Sequence, residues 1–165
     1  MTPFSDIYRR HARDVFRFAF WLARDEEEAK DVTAETFARA WAGADDLRVE
    51  TVKAYLFAIA RNLVRENHRK RRPETEVDEA MPDARPDPEA RAAARGDLAR
   101  VRRAVDALPE VDRAALLMRV TDGTSYADVA RALGISVAAA KVKVHRARLR
   151  LAEAKEGTHE RQHHS

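Results

Sequence analysis

Apolar residues recur every three or four positions along most of the chain, the spacing of amphipathic helices rather than of strands. Phe4, Ile7, Tyr8, His11, Val15, Ala19 and Leu22 form one such stripe. Phe16, Phe18, Phe20 and Trp21 widen it, so the helix predicted over residues 4–23 can pack on two sides. Asp25 opens a second helix that runs to Trp41, with Glu28 three residues on as a capping-box partner. Ala29, Val32, Thr36 and Ala40 turn inward there, while Asp31, Glu35 and Arg39 turn outward. Residues 43–50, GADDLRVE, read as a loop. Thr51 caps a third helix over 52–72, buried through Val52, Leu56, Ile59 and Leu63, with Tyr55, Phe57 and Asn62 at or beyond the margin of that stripe. Pro73 stops it. From Asp97, a fourth helix is lined by Leu98, Val101, Val105 and Leu108. Pro109 suits the first position of a fifth, which packs through Ala114, Leu117 and Val120.

The most informative stretch is Thr121–Leu151, TDGTSYADVARALGISVAAAKVKVHRARLRL. Ser125 caps a short helix, with Asp128 three residues on; Tyr126, Val129, Ala130 and Leu133 share one face. Gly134 stands where a left-handed residue lets the chain turn, Ile135 plugs the turn, and Ser136 caps a second helix. That helix has an apolar stripe of Val137, Ala140, Val144, Ala147 and Leu151. Its opposite face carries Ala138, Val142, His145, Arg146 and Leu149, flanked by Lys141, Lys143, Arg148 and Arg150. A basic helix could simply be solvated on its outer face. Two capped helices around a glycine turn favour a helix-turn-helix, whose second helix enters the DNA major groove. Ser136, Ala139, Lys141, Val142, Lys143, His145, Arg146 and Arg148 are then the candidate duplex contacts.

Charge sharpens this picture by its distribution. The 165 residues carry a formal net charge of only +3, although 36% of them are charged. Acid concentrates in the second helix (Asp25, Glu26, Glu27, Glu28, Asp31, Glu35 against Lys30), which reads as a solvated face or as a docking surface for a basic protein. Base concentrates at the end of the third (Arg61, Arg65, Arg69, Lys70, Arg71, Arg72 against Glu66). The helix dipole favours two or three cations there. The excess, beside Tyr55 and Asn62, suits single-stranded DNA, where aromatics stack on bases and cations hold phosphates. Residues 73–96 hold Pro73, Pro82, Pro86 and Pro88 and are mostly acidic, which predicts a mobile tether between two helical domains, 1–72 and 97–155, before a polar, fraying tail over 156–165. Such a tether could compete with DNA for the basic helices.

Other chemistry is thinly represented. With no cysteine there is neither a disulfide nor a thiolate metal site. His159 and His163 stand four apart without a third ligand, so no metal and no cofactor is expected. No apolar run is long enough to span a bilayer and the first residues do not read as a signal peptide, which predicts a cytoplasmic protein without membrane insertion. The remaining histidines, His11, His68 and His145, are scattered with no nucleophile–base pattern, and no enzyme is expected.

DEEEAKDVTAETFARAW, then AYLFAIARNLVRENHRKRR, an acidic proline-containing linker, and LPEVDRAALLMRVTDGTSYADVARALGISVAAAKVKVHRARLRL follow one another in this order. The arrangement resembles the extracytoplasmic-function (ECF) sigma factors of bacterial RNA polymerase over nearly the whole chain. The resemblance implies an all-α protein of two small domains, sigma regions 2 and 4, and a role in promoter recognition, opening and transcription initiation. It implies that Asp31, Val32, Glu35, Phe37 and Arg39 dock on the β′ clamp helices of core polymerase, with the β flap and an anti-sigma factor as further partners. Tyr55, where the family often has Trp, and Arg61 and Asn62, in its IARN stretch, would face the −10 promoter element, with Arg65, Arg69 and Lys70 on the strand backbone. Lys141, Val142, His145 and Arg146 would enter the −35 major groove. Ala34 stands where Gln is frequent, Ala138–Ala140 where Gly-Thr-Val is frequent, and Val142 where Ser is frequent; Val142 could meet a thymine methyl instead of donating a hydrogen bond. A stand-alone helix-turn-helix regulator would leave the acidic helix unexplained. An interaction protein binding acidic partners through its basic faces is partly compatible with the sigma reading.

Overall fold

Helix ends in this chain are set by a few capping groups. The computed structural model describes residues 3–44, 48, 51–71 and 88–163, and among these it contains seven helices and no strand. They are α1 (Phe4–Ala23), α2 (Glu26–Ala42), α3 (Val52–Arg71), α4 (Pro88–Ala107), α5 (Glu110–Asp122), α6 (Tyr126–Leu133) and α7 (Val137–His163). The Asp25 carboxylate accepts from the Glu27 amide at 3.0 Å, Ser125 Oγ from Asp128 at 3.1 Å and Ser136 Oγ from Ala139 at 3.0 Å. Each satisfies an amide that the first helical turn leaves without a backbone partner. Gly123 and Gly134 close α5 and α6 in the left-handed region, at φ +61° and +67°, where a Cβ would be strained. Arg24 takes the same conformation at the end of α1 with φ 62°, at a cost of about 1–2 kcal/mol for a residue with a Cβ.

In the first domain α1, α2 and α3 pack on one another. Phe18 and Phe57 meet edge to face at 4.9 Å and are both fully buried. Leu56, Val15 and Val32 surround this centre as buried residues. In the second domain α7 packs on α4, α5 and α6 through Ala140, Val144 and Ala147, all with no exposure. The domains also touch: α1 lies against α5 and α3 against α6.

Several expectations need correction. Phe57 is a core residue and not a margin of its helix, because α1 and α2 cover α3 from two sides. Leu98, Val101 and Val120 are exposed rather than packed, and Ala115, Leu116 and Met118 take the buried side of α5. Pro109 precedes the first turn of α5, with ψ 146°, instead of entering it. Glu28 does not complete a capping box; it is buried and ion-paired with Arg71 at 2.6 Å. The linker expected over 73–96 lies outside the described residues as far as 87. From Pro88 the chain is helical, with non-helical torsions at Gly96, so α4 begins before Asp97. The tail expected to fray after Lys155 continues α7 to His163.

Phe18→Ala should lower stability by about 3–5 kcal/mol, read by chemical denaturation, because it empties the centre of the three-helix packing. A loss near that of an exposed-site control such as Ala34→Ser would contradict this account of the core.

Candidate nucleic-acid interface

The outward face of α7 is built from the inside. Burial of Ala140, Val144 and Ala147 fixes the helix azimuth, and the opposite positions Ala138, Val142, His145, Arg146 and Leu149 all reach solvent. Val142 is 55% exposed, an apolar side chain standing between basic ones. Lys141 and Arg148 are exposed beside it, Ser136 is exposed at the helix start, and Ala139 is half-buried. Lys143 departs from expectation. It is half-buried and its Nζ lies 3.7 Å from Asp112 Oδ1, so it turns toward α5 and not toward the groove face.

Asp112 was not anticipated as a contributor to this face. It is 2% exposed, and its second oxygen lies 3.6 Å from Nε of Arg146. A buried carboxylate requires cationic partners, and both come from α7. The side chain of Arg146 is thus paired through the Nε edge of its guanidinium and stays 48% exposed. A similar device orients Lys141. The Tyr126 ring has the Arg119 guanidinium at 4.2 Å and Lys141 Nζ at 5.8 Å, within cation–π range. The sequence held one signal for Asp112: an acid on the helical stretch VDRAALLM, which is otherwise built to pack.

The first domain presents a second cationic surface on α3. Asn62, Arg65, Arg69 and Lys70 are exposed. Tyr55 is 41% exposed, and its hydroxyl would stand 3.2 Å from a Cβ at Gly43, so glycine there lets the tyrosine lie close to the end of α2. Arg61 differs from the other five. It is buried and donates two hydrogen bonds, Nε to Oε1 and Nη2 to Oε2 of Glu110, each 2.7 Å. Burial alone pushes the Glu110 carboxyl up. The Arg61 hydrogen bonds and charge, with Arg65 and Arg113 nearby, outweigh that and hold it below its usual range.

The acidic helix α2 divides by face. Asp31, Glu35 and Arg39 are exposed, with Arg39 Nε donating to Glu35 at 3.1 Å. Val32 and Phe37, expected as partner contacts, are instead buried. Phe37 sits edge to face with Phe4 at 6.3 Å and with Tyr8 at 4.9 Å, and it supports the surface from below. Asp25, Glu27, Asp31 and Glu35 share a groove with Asn67, Lys70 and Arg71 of α3. Among the described residues no group of three or more metal-binding side chains occurs, and no helix is long and apolar enough to cross a membrane.

Comparison with known proteins places both domains in one family. The profile for Sigma-70 region 2 matches residues 7–74, and that for Sigma-70, region 4 matches residues 98–151. The ECF RNA polymerase sigma factor EcfG of Rhodopseudomonas palustris is 35% identical, covering 81% of this chain and 75% of that protein. The ECF sigma factor SigM of Mycobacterium tuberculosis is 33% identical over 90% of this chain and 75% of its own length. SigE of Mycolicibacterium smegmatis is 30% identical over 92% of this chain, which spans 61% of that longer protein. Among solved structures, the sigma factor RpoE of Bartonella quintana, in complex with the anti-sigma factor NepR, superposes with a TM-score of 0.74, 29% identity and coverage of 93% and 96% of the two chains. CnrH in complex with the cytosolic domain of CnrY gives 0.71, 27%, and coverage of 93% and 88%.

The lowered Glu110 fixes the sign of a pH effect. Its contact with Arg61 adds stability above the ordinary glutamate range and loses it as pH falls through the lowered value. Wild type should therefore melt above Glu110→Gln at neutral pH, and the gap should close on acidification below that range; a gap independent of pH would contradict the pairing. At the other surface, Asp112→Asn should weaken duplex binding by removing the ion pair that orients the Arg146 guanidinium, as measured by fluorescence anisotropy with the fold checked by circular dichroism. Unchanged binding would separate Asp112 from the groove face.

Proposed function

Since the chain belongs to the extracytoplasmic-function sigma factors of RNA polymerase, which direct promoter-specific transcription initiation, we propose that its two cationic surfaces divide promoter recognition between duplex and single-stranded DNA. The exposed face of α7 reads the −35 major groove. Arg146 and Lys141 supply donors to guanine edges or phosphates, His145 and Arg148 flank them, and Val142 contacts a thymine methyl. Val142 has no hydrogen bond to offer, so recognition at its position rests on shape and apolar contact. The observation that carries the reading is α7 itself: buried through alanine and valine on one side, small and basic on the other.

The exposed cations of α3 hold the separated −10 strand, and Tyr55 offers a ring for a base to stack on. Capturing an unstacked base costs a few kcal/mol, which phosphate contacts from Arg65, Arg69 and Lys70 offset in a salt-dependent way. The acidic outer face of α2, with Asp31 and Glu35, docks on a basic surface of core polymerase, the β′ clamp helices, and the second domain meets the β flap. No step makes or breaks a covalent bond. The protein acts where DNA and polymerase are, in the cytoplasm, as a machine of binding energies. An anti-sigma factor is the expected regulator, since two structural relatives, the RpoE and CnrH complexes, were solved in complex with NepR and CnrY.

Run-off transcription with core polymerase on a promoter library tests this directly, and added protein should create new start sites. Arg146→Ala should cost about 1–3 kcal/mol in −35-dependent promoter binding and spare core binding. Asp31→Ala with Glu35→Ala should weaken core binding and spare the duplex affinity of the free chain. Loss of the same function in both variants would contradict the division of roles.

A further inference from the structure

Most acids at α2 are already matched within the first domain. The Asp25 carboxylate caps the helix. Glu26 and Glu27 share Lys30, at 3.8 and 3.4 Å, and Glu35 accepts from Arg39 at 3.1 Å. Glu28 is matched in another way. It is buried, and its carboxylate holds the guanidinium of Arg71, from the last turn of α3, at 2.6 Å. Asn67, one turn before Arg71, hydrogen-bonds to the same carboxylate. Among the described residues, Asp31 is the one acid of α2 with neither an ion pair nor a capping role. Asp31 stands one turn after Glu28 and one turn before Glu35, so the three follow one stripe of the helix. All three line the groove between α2 and α3, and Lys70 and Arg71 line it from the other side. The Arg71 side chain is 53% exposed and that of Glu28 only 6%. The guanidinium thus crosses from solvent to a carboxylate at the floor of the groove that Asp31 also lines.

We infer that Glu28 is a positioning residue for polymerase docking: by holding Arg71 against α2, it keeps that cation off Asp31 and leaves the Asp31 charge for a basic partner. The inference rests on the reading of the outer face of α2 as the docking surface. A short, charge-assisted hydrogen bond to a carboxylate shielded from water is stronger than one to an exposed carboxylate. Arg71 therefore stays with Glu28 rather than with Asp31. Without the Glu28 charge that preference is lost, and the unmatched carboxylate in the same groove is Asp31. A guanidinium placed there would neutralise the acid, and a cation of the partner would have to displace it. Glu28 itself is buried and meets no partner; it acts through Arg71.

The test titrates the full chain, fluorescein-labelled at its N-terminus, with core polymerase and follows anisotropy. Glu28→Gln should weaken binding roughly fivefold. Adding Arg71→Gln removes the released cation, so the double variant Glu28→Gln, Arg71→Gln should bind like wild type. Both variants lose the ion pair, and both should unfold earlier in denaturant by similar amounts. The recovery of binding is the outcome that a purely structural role does not give. If Glu28 only braced α2 against α3, the double variant would bind as weakly as the single one, and the inference would be overturned. Glu28→Asp, whose shorter carboxylate draws back from Arg71, should weaken docking by less and stands in where Glu28→Gln does not fold. Unchanged binding in both Glu28 variants would also overturn the inference. Asp31→Ala separates it from the docking reading: it should weaken binding, and Glu28→Gln should add nothing further to it. Loss in Asp31→Ala with none in Glu28→Gln would remove the role of Glu28 and keep the docking face. Wild-type binding in Asp31→Ala would remove the docking face through Asp31, and the role of Glu28 with it.

Discussion

Ala140, Val144 and Ala147 are fully buried, and the seating of α7 through these small side chains is the constraint on which the duplex-reading surface depends. Alanine lets the helix approach its neighbours closely, and valine fixes its rotation. Once the azimuth is set, a helical repeat of 3.6 residues delivers Val142, His145 and Arg146 to the far side with no further instruction. Asp112 adds an electrostatic lock: buried beneath the helix, it draws Lys143 inward and pairs with the Nε edge of the Arg146 guanidinium. The first domain follows the same logic. Phe18 and Phe57 clamp α1 to α3, and the cations of α3 that face away from that clamp are the ones left for a strand.

The contacts within the domains and those between them differ in kind. Inside each domain the interior is mainly aliphatic and aromatic, with a few buried polar groups such as Thr36 and Asp112. Between the domains the polar contacts are ion pairs, a cation over two rings and a backbone hydrogen bond. These polar contacts lie beside apolar packing, since one cluster of buried hydrophobic residues runs through both domains. The acidic face of α2 borders the cations of α3, with Asp31 and Glu35 sharing a groove with Lys70 and Arg71.

Much of this was legible in the residues. Helical periodicity located α1, α2, α3, α6 and most of α7, because each has an apolar stripe bounded by a cap or a glycine. The outward face of α7 followed from the wheel alone. Charge direction was harder to read. Lys143 and Arg146 both pair with Asp112, a carboxylate about thirty positions earlier that no local pattern announces, and they differ in how far each side chain stays exposed. The pairing of Arg61 was hidden for a related reason: its partner Glu110 belongs to the other domain, a contact that only tertiary structure creates. The resemblance places Val32 and Phe37 among the polymerase contacts, whereas both side chains are buried, Val32 in line with its spacing to Ala29, Thr36 and Ala40.

The central claim is that α7 reads duplex promoter DNA as part of a polymerase-bound protein. A photo-crosslinking amino acid at position 142, in the chain assembled with core polymerase on a promoter it activates, tests this most directly. The account predicts crosslinks confined to the −35 duplex, lost with Arg146→Ala and retained when the −10 region is opened. Crosslinks to core polymerase in place of DNA, or to DNA without preference for the −35 duplex, would contradict it.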